Sequence, residues 1–196
     1  MAQPPHFRVL KSERKHDGKV FNLIVDEIEY ESGNRAIREV ADHPGGAVAV
    51  PLLDDGSLLL VRQYRYPLKK PLLELPAGKL SPGEDPMVCA ARELEEETGY
   101  TARKLTKLTA IYTTPGFCNE LLHIYLAEDV QKSSTGQQLE EGELSLTVER
   151  VPFHEAVRMV ERGEIVDSKT ICGILLADRH LKNKENTETT DKTDVH

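Results

Sequence analysis

Between Gly78 and Tyr100 the chain reads GKLSPGEDPMVCAARELEEETGY, and this stretch constrains the fold more than any other. Its first part is rich in Gly and Pro and reads as a loop. Asp85 followed by Pro86 is an N-cap with proline at the first helical position. A helix is predicted from there to about Thr98, with Gly99 as the left-handed residue that ends it. On a helical wheel Met87, Ala90, Ala91 and Leu94 form a stripe toward the core. Glu93, Glu96 and Glu97 lie on an arc beside that stripe, not opposite it. Like charges at this spacing repel by roughly a few tenths of a kcal/mol per pair. Carboxylates bordering a buried face need compensation, which hard divalent cations such as Mg²⁺ or Mn²⁺ supply through their preference for oxygen. Taken alone, the run also reads as a solvated acidic helix face.

The remainder predicts mostly strands. VFNLIVDEIEY and AIREVADH flank the turn ESGN, and AVAVPLL and LLLV flank DDG, which is hairpin chemistry. The near-continuous apolar runs predict strands buried on both faces. KLTKLTAIYTT, ELLHIYLAEDV and ELSLTVERVP predict further strands, and HEAVRMVERGE and SKTICGILLADRHLK have helical spacing. Many strands with one central and two late helices give an α+β class. Three regions follow: N-terminal strands over 1–42, a main domain over 43–181, and a polar tail without structure over 182–196.

A net charge of −8 argues against binding nucleic acid or an anionic membrane. Cys89, Cys118 and Cys172 form no CxxC pair, so neither a zinc knuckle nor a disulfide framework is expected, and free thiols suit a reducing cytoplasm. The N-terminus lacks the apolar core of a signal peptide, and no apolar run is long enough to span a membrane.

The segment from Gly78 follows G-x5-E-x7-R-E-U-x-E-E-x-G-U, where U is apolar: Gly78, Glu84, Arg92, Glu93, Leu94, Glu96, Glu97, Gly99 and Tyr100. Background composition would produce this in such a chain only about one time in ten million. It resembles the Nudix box without a departure. RQYRYP at 62–67, LLELPAGK at 72–79 and Pro115, sixteen residues beyond Gly99, further resemble the branch that hydrolyses ADP-ribose and nucleoside-diphosphate sugars.

The resemblance implies a mixed β-sheet between helices, with an N-terminal antiparallel strand subdomain. It implies that Glu93, Glu96, Glu97 and the carbonyl of Ala77 hold Mg²⁺ or Mn²⁺, two or three ions per site. Gly78 is expected to let the strand turn sharply into the loop, and Glu84 with Arg92 to brace the loop against the helix. Arg65 is the first choice for gripping a diphosphate, with Arg62 or Arg38 assisting. Tyr30 or Phe21 is a candidate for stacking on the base, and Glu120 for a ribose or a water at the metal. The catalytic base is expected on the acidic loop QQLEEGELSL, at Glu141 or Glu143, with Glu96 the fallback. The implied substrate is a small nucleotide sugar, and the implied assembly a homodimer with swapped N-terminal strands. Two other readings stay open: a hydrolase of damaged nucleoside triphosphates, and a silent module that senses a nucleotide. The full set of box carboxylates weighs against the second.

Overall fold

The structure is a computed structural model and describes residues 6–193. The chain divides into two compact units: Met1–Gly45 with Tyr112–Leu121, and Gly46–Ile111 with Leu122–His196.

In the first unit, β1 (Phe7–Asp17), β2 (Asn22–Tyr30) and β3 (Arg35–Asp42) form an antiparallel sheet in the order β1-β2-β3. Gly33, at φ 83°, makes the β2–β3 turn that ESGN predicts. Every position of β1 except one is exposed. The 112–121 segment joins this unit through a parallel bridge between Ala41 and Cys118. The Ala41 N–H donates to the Phe117 carbonyl (2.8 Å), and the Asn119 side chain holds Asp42 and the His43 N–H.

The second unit contains β4 (Gly46–Pro51), β5 (Ser57–Arg65), β6 (Lys70–Glu74), β7 (Ala77–Lys79), α1 (Pro86–Thr98), β8 (Tyr100–Tyr112), β9 (Leu121–Lys132), β10 (Thr147–Pro152), α2 (Phe153–Glu161) and α3 (Ser168–Thr193). The facing ends of β8 and β9 reach into the 112–121 segment. One sheet has the order β7-β4-β9-β8, with β4 and β9 parallel; the other has the order β10-β5-β6.

Strand β4 shows why helices cover both faces. All six of its residues are buried. Ala47 and Ala49 pack with Cys89, Ala90 and Leu94 of α1. Val48 and Val50 point the other way and pack with Ile174 and Ala177 of α3. The period-2 alternation of a strand thus assigns small side chains to one helix and branched ones to the other. Gly173 lets α3 lie close: a Cβ there would meet Leu75 Cδ1 at 2.5 Å. This layering of helix, sheet and helix is the arrangement the resemblance implied.

Two expectations change. The DDG turn forms, with the Gly56 N–H bonded to the Leu53 carbonyl and Gly56 at φ 76°. Beyond the single Leu52–Leu58 bridge, however, β4 and β5 part into different sheets. Both strands are apolar on both faces, so each takes its own partners instead of closing a hairpin. The tail also differs: α3 continues to Thr193 through residues expected to lack structure. No Gly or Pro follows Gly173, so nothing in the chain breaks the helix. The expectations for 194–196 and for the start of the N-terminal arm at 1–5 lie outside the described residues.

Candidate active site

Helix α1 begins and ends as its sequence predicts. The Asp85 carboxylate accepts the Met87 N–H at 2.7 Å, and Pro86 occupies the first turn. Gly99, at φ 73°, closes the helix with its N–H on the Glu95 carbonyl. The buried face is rotated from the predicted stripe. Met87 is 43% exposed, whereas Cys89, Ala90, Leu94, Glu93 and Glu97 are all buried. Packing against Ala47 and Ala49 sets this phase, and it takes two carboxylates into the interior instead of leaving them beside it.

Burial of charge costs free energy unless it is compensated. Glu97 is 2% exposed, and burial, then the charges of Glu93 and Glu143, push its pKa up to about 8. Its carboxylate accepts the Ala77 N–H at 3.2 Å. Burial also raises Glu93, against the pull of Arg92. Arg92 is the compensating group on the other side. Its Nη1 donates to Glu93 (2.7 Å) and Glu96 (2.8 Å), and its Nε and Nη2 grip Glu84 at 2.9 and 3.1 Å. Arg92 and the Ser81 N–H pull Glu84 down to about 2. The expected Glu84–Arg92 brace is therefore present, and Arg92 also reaches the helix carboxylates.

Gly78 has a different job from the one expected. It lies within β7, paired with Ala47 of β4, and its φ is not positive. The Glu93 carboxylate occupies the space a side chain would take: a Cβ on Gly78 would sit 1.9 Å from Oε1 and 2.3 Å from Oε2. Glycine is needed here for close approach, not for a turn.

This donor set fits a hard divalent cation. Three carboxylates stand on one helix, two of them buried, and Glu93 enters the space that Gly78 leaves open. Among the described residues no three acidic, His or Cys side chains stand in a ready-made metal cluster. Glu93 and Glu96 instead turn onto the Arg92 guanidinium.

The loop candidates share one short 3₁₀ turn, Glu141–Glu143. Glu141 is exposed. Glu143 is half-buried, accepts the Glu140 N–H at 3.2 Å, and its charge bears on both Glu93 and Glu97. Arg65 forms a fork on Glu74 (Nε 2.8 Å, Nη2 2.6 Å), and it senses the charge of Glu97. Glu74 is 1% exposed and also holds Lys169, which Asp167 holds from its far side at 3.0 Å. Burial raises the Glu74 pKa, but its two cations more than offset this and leave it lowered. Arg62 is paired with Glu149 across β5 and β10.

Tyr30, Arg38 and Glu120 belong to the first unit. Arg38 lies over the Tyr30 ring, 5.9 Å from its centroid, and donates to the Tyr30 hydroxyl. Tyr30 stacks edge-on with Phe7. Phe21 is 43% exposed. Glu120 accepts from the Thr113 hydroxyl at 2.7 Å and lies 3.4 Å from His43 Nδ1.

Sequence reading missed Glu74, Asp167 and Lys169. Asp167 caps α3 by accepting from the Thr170 N–H and hydroxyl, so the DSKT stretch carried a usable N-cap signal. A buried Glu in LLELP carried none. It also missed what residues 133–138 do at the end of α1.

Known proteins place these features in context. Residues 43–172 match the NUDIX domain. The chain is 42% identical over 178 residues, 91% of its length and 94% of the relative's, to an ADP-ribose pyrophosphatase of Bacillus subtilis (strain 168). It is 37% identical over 179 residues, 90% of its length and 96% of the relative's, to the methanol dehydrogenase activator of Bacillus methanolicus. A crystal structure of an ADP compounds hydrolase superposes with a TM-score of 0.79, covering 94% of this chain and 98% of that one at 23% identity, which shows a common fold. With its uninterrupted box and a match over most of its length, the chain belongs to the NUDIX family.

Proposed function

We propose that this protein is a divalent-cation-dependent pyrophosphatase that splits the diphosphate of ADP-ribose or a nucleoside-diphosphate sugar into a nucleoside monophosphate and a sugar phosphate. The observation that carries the reading is the complete carboxylate set on α1, with buried Glu93 and Glu97 under the charge of Glu143 from a separate loop. The name of the Bacillus subtilis relative supports the substrate class.

Glu93, Glu96, Glu97 and the Ala77 carbonyl would hold Mg²⁺ or Mn²⁺, which supplies charge neutralisation of the diphosphate and polarisation of its phosphorus. Glu143 takes the proton from the attacking water: of the two loop glutamates it is the half-buried one, and its charge bears on Glu93 and Glu97. Arg65, held rigid by Glu74, presents its remaining guanidinium edge to the diphosphate. Arg62 contributes less, being committed to Glu149. A homodimer built on the N-terminal strands accounts for the exposure of Phe7, Val9, Leu10, Phe21 and Ile37 on that sheet and its first turn. Light scattering on the eluting protein tests this, and a monomer at micromolar concentration would refute it. Among the described residues no helix is long and apolar enough to cross a membrane.

The deciding assay measures phosphate monoester released from ADP-ribose, several nucleotide sugars, dinucleoside polyphosphates and dNTPs, with Mg²⁺ and with EDTA. ADP-ribose or a nucleotide sugar should turn over fastest, and EDTA should abolish turnover. Activity that survives EDTA would overturn the metal assignment, and a preference for dNTPs would overturn the substrate class. Glu143→Gln should lower kcat by ~10²–10⁴, with Glu141→Gln near wild type.

A further inference from the structure

The C-terminus of α1 is closed by a segment distant in sequence. The last carbonyls of a helix have no partner inside it and carry the negative end of its dipole. Here Gly99 N–H satisfies the Glu95 carbonyl at 2.8 Å. The other partners come from residues 133–138. Gln138 N–H donates to the Glu96 carbonyl at 2.8 Å, and Gln137 Nε2 donates to the Glu97 carbonyl at 2.6 Å. Ser133 N–H donates to the Gly99 carbonyl at 2.8 Å. The hydroxyls of Ser133 and Thr135 both donate to the Glu95 carboxylate. The two backbones lie so close that a Cβ on Gly99 would sit 3.1 Å from the Gln137 nitrogen.

The same segment leads directly into the turn that carries Glu143. On its far side the chain re-enters the core at Leu146, which is 5% exposed. Residues 139–145 therefore form an arch with one foot in the core and the other on the end of α1. The helix that receives this foot also carries Glu93, Glu96 and Glu97.

We propose that Gln137 is a positioning residue for catalysis: by tying the foot of the Glu143 arch to the Glu97 carbonyl, it fixes the catalytic base relative to the metal-ligating carboxylates of the same helix. The inference rests on the reading of Glu143 as the base. Gln137 touches neither substrate nor cation in this scheme. Its amide donor is what matters, so a side chain that donates to a carbonyl at a helix C-terminus should replace it. Lysine does this and glutamate cannot, since its carboxylate has no donor and meets the negative end of the dipole.

The test measures kcat and KM for ADP-ribose at saturating Mg²⁺ in Gln137→Ala, Gln137→Glu and Gln137→Lys, each also in a Glu143→Gln background. Gln137→Ala and Gln137→Glu should lower kcat by about 10–100-fold, the scale for partners that orient a functional group from behind, with KM nearly unchanged. Gln137→Lys should restore most of the turnover. In the Glu143→Gln background Gln137→Ala should cost nothing further, because a misplaced base and an absent one are equivalent. Hydrogen exchange at the Gln138 amide should quicken in Gln137→Ala, showing that the foot has lifted from a folded helix. Wild-type kcat in Gln137→Ala, an effect on KM alone, or a full additive loss in the Glu143→Gln background would overturn the inference while leaving the base assignment standing. Wild-type turnover in Glu143→Gln itself would overturn both.

Discussion

Gly78→Ala separates the two jobs a box glycine can have. A turn-making glycine resists substitution because its backbone is strained, and the loss appears as stability. Gly78 has no positive φ, so alanine fits its backbone. Its new methyl would lie 1.9 Å from Glu93 Oε1, 2.0 Å from Cδ and 2.3 Å from Oε2, where real contacts do not fall below 3.0 Å. The carboxylate must therefore retreat by about 1 Å, and it can, as the free end of a flexible side chain. An off-rotamer side chain costs about 0.5–1.5 kcal/mol. At roughly 2–4 °C per kcal/mol for a chain of this size, Tm should fall by no more than about 6 °C. Function should fall much further. Mg²⁺ demands ligands at about 2.1 Å in near-ideal geometry, and a misplacement of about 1 Å in an active site costs on the order of 10²-fold in rate. The assay pairs thermal unfolding of the metal-free protein with turnover across a Mg²⁺ titration. The expected result is a small loss in Tm, turnover down by about 10²-fold, and a half-saturating Mg²⁺ concentration shifted upward. Turnover near wild type at the wild-type Mg²⁺ requirement would refute the reasoning. So would a collapse of Tm by more than about 15 °C, which would mean that the backbone, not Glu93, needs the glycine.

Other perturbations follow from the same geometry. Glu74→Gln removes the carboxylate that Arg65 grips and that, with Asp167, holds buried Lys169; with Arg65 37% exposed and partly solvated, the loss should be about 3 kcal/mol by denaturant unfolding. Because the folded pKa of Glu74 lies below its ordinary 4.5, the stability it contributes is present above pH 4.5 and is lost as pH falls through the lower folded value. Glu74→Gln should therefore flatten that part of the acid-unfolding curve, visible in Tm measured from pH 6 downward. Gly173→Ala gains about 1 kcal/mol of helix propensity but drives a methyl to 2.5 Å from Leu75 Cδ1; overpacking costs about 1–3 kcal/mol, so unfolding should show no gain and at most about 2 kcal/mol of loss. Gly99→Ala combines a left-handed backbone with a methyl pressed on Gln137, and should lower both Tm and the hydrogen-exchange protection of residues 133–138.

Local signals were the legible ones. Asp85, Pro86 and Gly99 set the ends of α1 within a few residues of chain, and such signals do not depend on distant partners. The spacing of Glu93, Glu96 and Glu97 was equally plain. What depended on tertiary approach was not. The wheel placed Met87 inward because it is apolar, but Ala47 and Ala49 are small and admit the Cys89–Glu93 side of the helix instead. The DDG turn was legible, yet the divergence of β4 and β5 was not, since two strands apolar on both faces carry no mark of which sheet each will join. Arg65 could be singled out as a phosphate-binding type, but not its tether: Glu74 sits nine residues away in a run that reads as plain hydrophobic strand.

Resolved in space, the acidic run that looked self-repelling divides into separate tasks. Glu93 and Glu97 are buried, and Glu93 fills the space that Gly78 leaves open. Glu96, further out, meets Arg92, the residue that also holds the loop through Glu84. Glu95, the position the box pattern leaves unspecified, turns to the hydroxyls of Ser133 and Thr135. The helix is thus fastened at its start by the Asp85 cap and the Arg92–Glu84 brace, and at its end by the 133–138 segment. A rigid mount is what ligands for a small, geometrically demanding cation require, since an error of a few tenths of an ångström consumes much of the tolerance in an Mg²⁺ shell. The residues of α1 that would bind nothing therefore belong to the site as much as those that would. A substitution at Glu95 tests this. Glu95→Ala leaves every proposed ligand in place, yet by freeing Ser133 and Thr135 it should lower kcat in the same direction as Gln137→Ala, with the Mg²⁺ requirement unchanged. An equal effect of Glu95→Ala in the Glu143→Gln background would show that the fastening stabilises the helix without positioning the base.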